Sequence, residues 1–135
     1  DTRDWTSYDV TLGGRQLTAL RKRHAIYQVF RHLVESGIAP EEVAKHCGPR
    51  ANRALVSVEG EVTGEDFNRL AKETRAREGR NFDPKRFFTD DDELLHFGGR
   101  TYAFSSQWGG TAWEQAMIEL RDAFPDKGIA FTPSE

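Results

Sequence analysis

The sequence predicts an α+β domain: a helical bundle, with a run of three short helices, packed on a small antiparallel sheet built from two Gly-Gly hairpins. Three observations predict it. Residues 20–58 alternate amphipathic stretches with glycine and proline breaks at helical lengths. Residues 7–17 and 93–104 each place a Gly-Gly pair between short strand-like runs. Trp113, Met117, Leu120 and Phe124 recur at i, i+4, i+7 and i+11, the spacing of one helix face.

Taken in order, SYDVTLGGRQL reads as strand, turn and strand. The next stretch carries Ile26, Tyr27, Phe30, Leu33 and Val34 within about a third of a helix circumference, an amphipathic stripe. Gly37 stops it where a left-handed cap is expected. Pro40 opens a second helix, with Glu41 and Glu42 in the first turn, where the helix dipole favours acids. Gly48 closes that helix, and Pro49 opens a third over PRANRALVSV. A further helix begins near Thr63, which approximates a capping box with Asp66 and turns Phe67, Leu70, Ala71 and Thr74 inward. NFDPKRFFTDD is a loop broken by Pro84. ELLHFGGRTYAF gives the strongest hairpin signal, because Gly98 and Gly99 adopt positive φ without strain. After the glycine-rich loop SSQWGGT, Thr111 or a neighbour caps the last helix; Pro125 ends it, and GIAF forms a final strand.

The run over 20–58 resembles the helix-turn-helix class. That resemblance covers under a third of the chain and implies a third helix lying in the DNA major groove. Its polar residues would be Arg50, Asn52 and Arg53, types whose geometry suits guanine and adenine edges. Arg21, Lys22 and Arg23, just before the first helix, would add phosphate contacts. The second hairpin would act as a wing, with Arg100 at its tip on phosphate.

Composition bounds these readings. The 135 residues suit one compact domain over 1–135. The start at Asp1 and the single Met117 lead us to expect a domain excised from a longer multidomain protein. Mean hydropathy is −0.69, but nine Phe, three Tyr and three Trp supply core material and argue against disorder. No apolar run reaches bilayer length, and no signal-peptide pattern is present, so no membrane partner is expected. The single Cys47 excludes an internal disulfide and fits a reducing cytoplasm. Net charge is −3, unusual for a nucleic-acid binder, but it is unevenly spread. Residues 15–53 hold eight Lys/Arg against three acids, and 69–86 hold seven against three. Residues 91–135 hold three against eight. Such polarity lets one pole dock phosphate despite the negative total.

Few residues suggest catalysis. Thr89-Asp90-Asp91-Asp92-Glu93 lacks the spacing and glycine of a calcium loop and reads as a solvated turn. His24, His32, His46 and His96 stand in no zinc-ligand spacing, so no metal or cofactor is expected. Cys47 reads as a small buried residue. No phosphate loop, nucleophile elbow or dinucleotide fingerprint is present. Tyr102 and Phe104 are expected in the core. Trp108 has two readings, a core residue or an exposed ring that stacks on a base.

The expected function is a non-catalytic DNA-binding or DNA-sensing accessory domain of a bacterial nuclease, restriction or other DNA-processing protein. Its partners are DNA phosphates and base edges and a neighbouring catalytic domain. The alternative is a protein-protein interaction or oligomerisation module using the acidic pole, and a third reading is a small enzyme with its site near Asp90–Glu93.

Overall fold

The computed structural model describes residues 5–135. Strand β1, Ser7–Leu12, pairs antiparallel with β2, Arg15–Arg21, across the Gly13-Gly14 turn. The last strand, β6, Ile129–Pro133, joins the other side of β1, giving the order β2-β1-β6. A second sheet has the order β3-β5-β4, with β3 Leu55–Glu59, β4 Leu95–Phe97 and β5 Arg100–Phe104, all antiparallel. The α-helices are α1 Lys22–Glu35, α2 Pro40–Ala44, α3 Gly64–Arg77 and α4 Gly110–Ala123. None among the described residues is long and apolar enough to cross a membrane.

The architecture is therefore α+β, but with two small sheets where one was expected. The two Gly-Gly hairpins do not pair with each other, and a second difference lies at LVSVE. The Pro49 start predicts a third helix through it; instead Gly48–Arg53 forms a 3-10 stretch, and Leu55–Glu59 is strand β3. Val56 and Val58 are buried on one face, while Ser57 and Glu59 alternate with them. That period of two, with β-branched residues on the buried side, is what a strand requires. An α-helix would have thrown Val56 and Val58 about 200° apart.

Helix α1 forms because its apolar residues share one face. Ala25, Ile26, Val29, Phe30 and Leu33 are wholly buried. It ends as expected, with Gly37 at φ +105° and its N–H donating to Val34 O at 3.0 Å. The ring of Phe30 stacks on Phe104 of β5 at 4.2 Å, so α1 covers one face of the second sheet. Helix α3 covers the other, where Phe67 and Ala71 pack with Val56, Val58 and Ala103 in a separate apolar cluster. Leu70 is only partly buried and Thr74 is exposed, so the inner stripe of α3 is narrower than predicted.

The start of α3 departs from the expected capping box. The Thr63 side chain makes no cap bond. Instead Gly64 N–H donates to Asp91 Oδ1 at 2.6 Å. The approach is close: a Cβ on Gly64 would lie 2.6 Å from Thr89 O. Part of the acidic run thus caps a helix distant in sequence. In the first sheet, a bulge opposite Asp9 holds Ala19 at φ +56°, with Ala19 N–H donating to Asp9 Oδ1 at 2.9 Å.

Helix α4 buries Trp113, Ala116, Met117 and Leu120, while Phe124 lies just beyond it and is partly buried. Leu120 is fully enclosed. Leu120→Ala is expected to cost about 2–5 kcal/mol of stability, read by denaturant unfolding. A loss below about 1 kcal/mol would show that the site lies outside the core.

Candidate functional site

The basic residues of the middle of the chain converge. A cavity of about 220 Å³ is lined by Arg50, Arg53, Arg75, Arg80 and Arg86. Two come from the 3-10 stretch Gly48–Arg53, one from α3, one from the loop after it, and one from the 3-10 turn Pro84–Arg86. Asn52 and Gln107 add amide groups at the rim, and Phe87 forms one wall. The lining contains no carboxylate, imidazole or thiol.

The residues just after β5 draw these segments together. Ser105 N–H donates to Ala54 O at 2.8 Å, fixing the end of the stretch that carries Arg50 and Arg53. Ser106 N–H donates to Arg86 O at 2.9 Å, fixing the second segment. Phe88 N–H donates to Phe104 O at 2.8 Å and keeps that segment against the sheet. On its other side, the 3-10 stretch rests on α4. Gly48, at φ +60°, faces Ala116, which a Cβ there would approach at 3.3 Å.

Trp108 lies beneath the site. It is 9% exposed, stacks on Phe104 at 5.4 Å, and donates from Nε1 to Ser105 O at 2.7 Å. Its partners come from β5 and from across the fold, which is why glycine neighbours in sequence did not leave it bare. The core reading holds, and the exposed base-stacking reading is corrected. The ring instead supports the Arg50 guanidinium, 5.8 Å from its centroid.

The electrostatics of the cavity are unbalanced. Arg50 and Arg53 form no ion pair among the described residues. Arg86 lies 3.7 Å from Asp83 and Arg80 3.9 Å from Glu78, both solvent-exposed pairs of little strength. Burial, then the neighbouring Arg80 charge, push Arg75 below the ordinary arginine range against a smaller pull from Glu78. The Nε of Arg50 is shut off from solvent and has no hydrogen-bond partner. Buried N–H groups normally find an acceptor, so this one marks an unmet demand.

The other predicted site residues are scattered. Arg100 is not a free wing tip. It is half-buried, donates to Ser57 Oγ at 2.9 Å and lies 3.9 Å from Glu59. It lines the depressions between α3 and β3 with Thr74 and Arg77, and one of these shares Arg75 with the cavity. Arg23 lies beyond Phe87 in a depression that also holds Asp90 and Glu93. Arg21 donates to Trp5 O, with its guanidinium 5.0 Å over the Trp5 ring, and Lys22 lies 5.3 Å over the Trp113 ring. Sequence reasoning missed Arg75, Arg80 and Arg86 as site residues. The basic count over 69–86 pointed toward them, but only the fold brings them to Arg50.

Other candidate groups have structural roles. Burial, with a smaller effect from Glu119, pushes the Cys47 thiol up to about 12, leaving it protonated and unreactive. Among the described residues no three His, Cys, Asp or Glu side chains converge as a ligand set. In the acidic run, Asp91 caps α3 and Glu93 accepts from Asp90 N–H. Comparison of the chain with protein-family models, curated proteins and solved structures gave no match.

Trp108→Ala is expected to lower stability by about 3–5 kcal/mol, measured by thermal or denaturant unfolding. A folded variant with unchanged melting would return Trp108 to the surface.

Proposed function

We propose that this chain is a non-catalytic nucleic-acid-binding module that grips phosphate, with DNA as its partner, and serves as an accessory domain of a DNA-processing protein. The observation that carries the reading is the convergence of five arginines from four segments on one cavity. Arginine matches phosphate geometry with a planar fork of donors. The lining offers no group suited to moving a proton at neutral pH, which favours binding over catalysis.

In this reading the part from α1 through the 3-10 stretch is the helix-turn-helix-like portion, with its third member shortened to Gly48–Arg53. That length suits a backbone grip better than a helix laid in the major groove. Asn52 and Gln107, at the rim, are the groups placed to meet a base edge. The net charge of −3 does not oppose docking, because no acid enters the cavity lining: Asp83 and Glu78 pair loosely with Arg86 and Arg80 at its border, Asp91 caps α3, and Glu41 accepts from Tyr102 OH at 2.5 Å.

Reversing Arg50 and Arg53 to Glu is expected to abolish DNA binding in a gel shift while leaving the far-ultraviolet dichroism unchanged. Unaltered affinity in the folded double variant would overturn the reading. Salt gives a second measure. With three to five phosphate contacts, log affinity should fall against log salt with a slope of about −3 to −5. A slope near zero, or no binding at about 50 mM salt, would favour a protein-interaction module instead.

A further inference from the structure

We infer that the arginine cavity receives the terminal phosphomonoester of a nucleic-acid strand, while internal phosphodiesters of that strand lie along the groove between α3 and β3. The inference rests on the nucleic-acid reading above and names what the site selects.

The first argument is valence. An internal phosphodiester carries one charge and two free oxygens. A terminal phosphomonoester carries about −1.5 to −2 charges near neutral pH and three strongly accepting oxygens. Arg50, Arg53, Arg75, Arg80 and Arg86 line a single cavity. That many guanidinium forks exceed what one diester can satisfy, but they suit a dianion.

The second argument is size. Pockets that enclose a drug-sized ligand measure roughly 300–1,000 Å³. This one measures about 220 Å³. It is suited to a phosphate with part of its sugar and is too small to enclose a whole nucleotide.

The third argument is direction. The cavity shares Arg75 with a depression between α3 and β3, where Arg75 and Arg100 face Glu78, and that depression shares Thr74 and Arg100 with another, where Arg77 and Arg100 face Glu59, so cations outnumber acids along both. β3 is an edge strand, so its free side borders this groove. At the other end, Phe87 separates the cavity from a depression where Asp90 and Glu93 offset Arg23 and Lys85. The basic track therefore stops at Phe87. A strand laid along it would end where the positive charge is densest.

The test compares one short single-stranded oligonucleotide in three forms: hydroxyl at both ends, 5′-phosphate, and 3′-phosphate. Affinities are read by fluorescence anisotropy at fixed salt, with inorganic pyrophosphate as a competitor. One phosphorylated form should bind about tenfold tighter or more than the hydroxyl form, the worth of one charge-assisted hydrogen bond. Arg86→Gln should shrink that ratio toward one. Arg77→Gln, in the groove, should weaken all forms together and leave the ratio standing. Equal affinity for all three forms overturns the inference and leaves the nucleic-acid reading intact. A preference that survives Arg53→Gln/Arg86→Gln undiminished places the end elsewhere and overturns the assignment to this cavity. Stabilisation by pyrophosphate with no binding of any strand makes the cavity a receptor for a free anion and overturns both readings, as does binding of neither.

Discussion

Strand β5 is covered on both faces, and that constraint orders the rest of the molecule. Thr101 through Phe104 are all buried. On one side Tyr102 and Phe104 meet the core built by α1 and α4; on the other, Ala103 meets the cluster under α3. A strand enclosed on two faces must satisfy every polar group it carries. Thr101 does so with its hydroxyl, donating to Gly60 O at 2.6 Å and accepting from Val62 N–H at 3.0 Å. The chain leaving β5 does so through Ser105 and Ser106, whose N–H groups reach Ala54 O and Arg86 O. The same bonds that allow β5 to be buried bring two arginine-bearing segments to one place. Fold and candidate site share one cause.

Charge follows the same geometry. The total of −3 says nothing about a surface on which acids and bases are sorted by position. Several acids accept from the chain's own donors. Asp91 holds the first N–H of α3, Asp9 holds the bulge and the Ser134 hydroxyl, and Glu41 meets Tyr102. Around the cavity, by contrast, Asp83 and Glu78 are exposed and loosely paired, and no acid enters the lining. These acids finish the fold, while the arginines near β5 are left facing one another.

The legible parts of the chain were those governed by neighbours in sequence. The stripes of α1 and α4 follow from spacing alone, and Pro40 and Pro125 mark helix boundaries through their own fixed φ. Gly37 is legible because its positive φ belongs to glycine. LVSVE was misread because the arginine-rich stretch before it has good helix propensity, which masked a five-residue alternation. The capping partner of α3 was illegible in principle, since Asp91 arrives from 27 residues away. Trp108 was ambiguous because the ring it stacks on, Phe104, belongs to β5, and the Arg50 guanidinium reaches it from a segment distant in sequence. The site was half legible. Arg50, Asn52 and Arg53 stand together in sequence, but Arg75, Arg80 and Arg86 join them only once α3 and the Pro84 turn have been placed.

The cavity also lacks a reason to exist as part of the fold alone. Neighbouring guanidinium groups repel one another, and the downward shift of Arg75 reflects burial first and that repulsion second. An enclosed N–H without an acceptor, as at Arg50, is a further penalty. Neither is offset by a carboxylate in the lining, although acids are plentiful elsewhere in the chain. A sequence shaped only for stability would have placed one there. Both penalties fall within the same few residues, and a bound anion would relieve the repulsion between the guanidinium groups. One other buried side-chain atom, Asn68 Oδ1 on α3, also lacks a partner among the described residues, but it lies outside the cavity. Local unfavourable terms gathered at a concave surface are one way a binding site departs from the rules that govern the rest of a fold. On that argument the cavity is where the fold gathers positive charge that its own acids leave largely unbalanced.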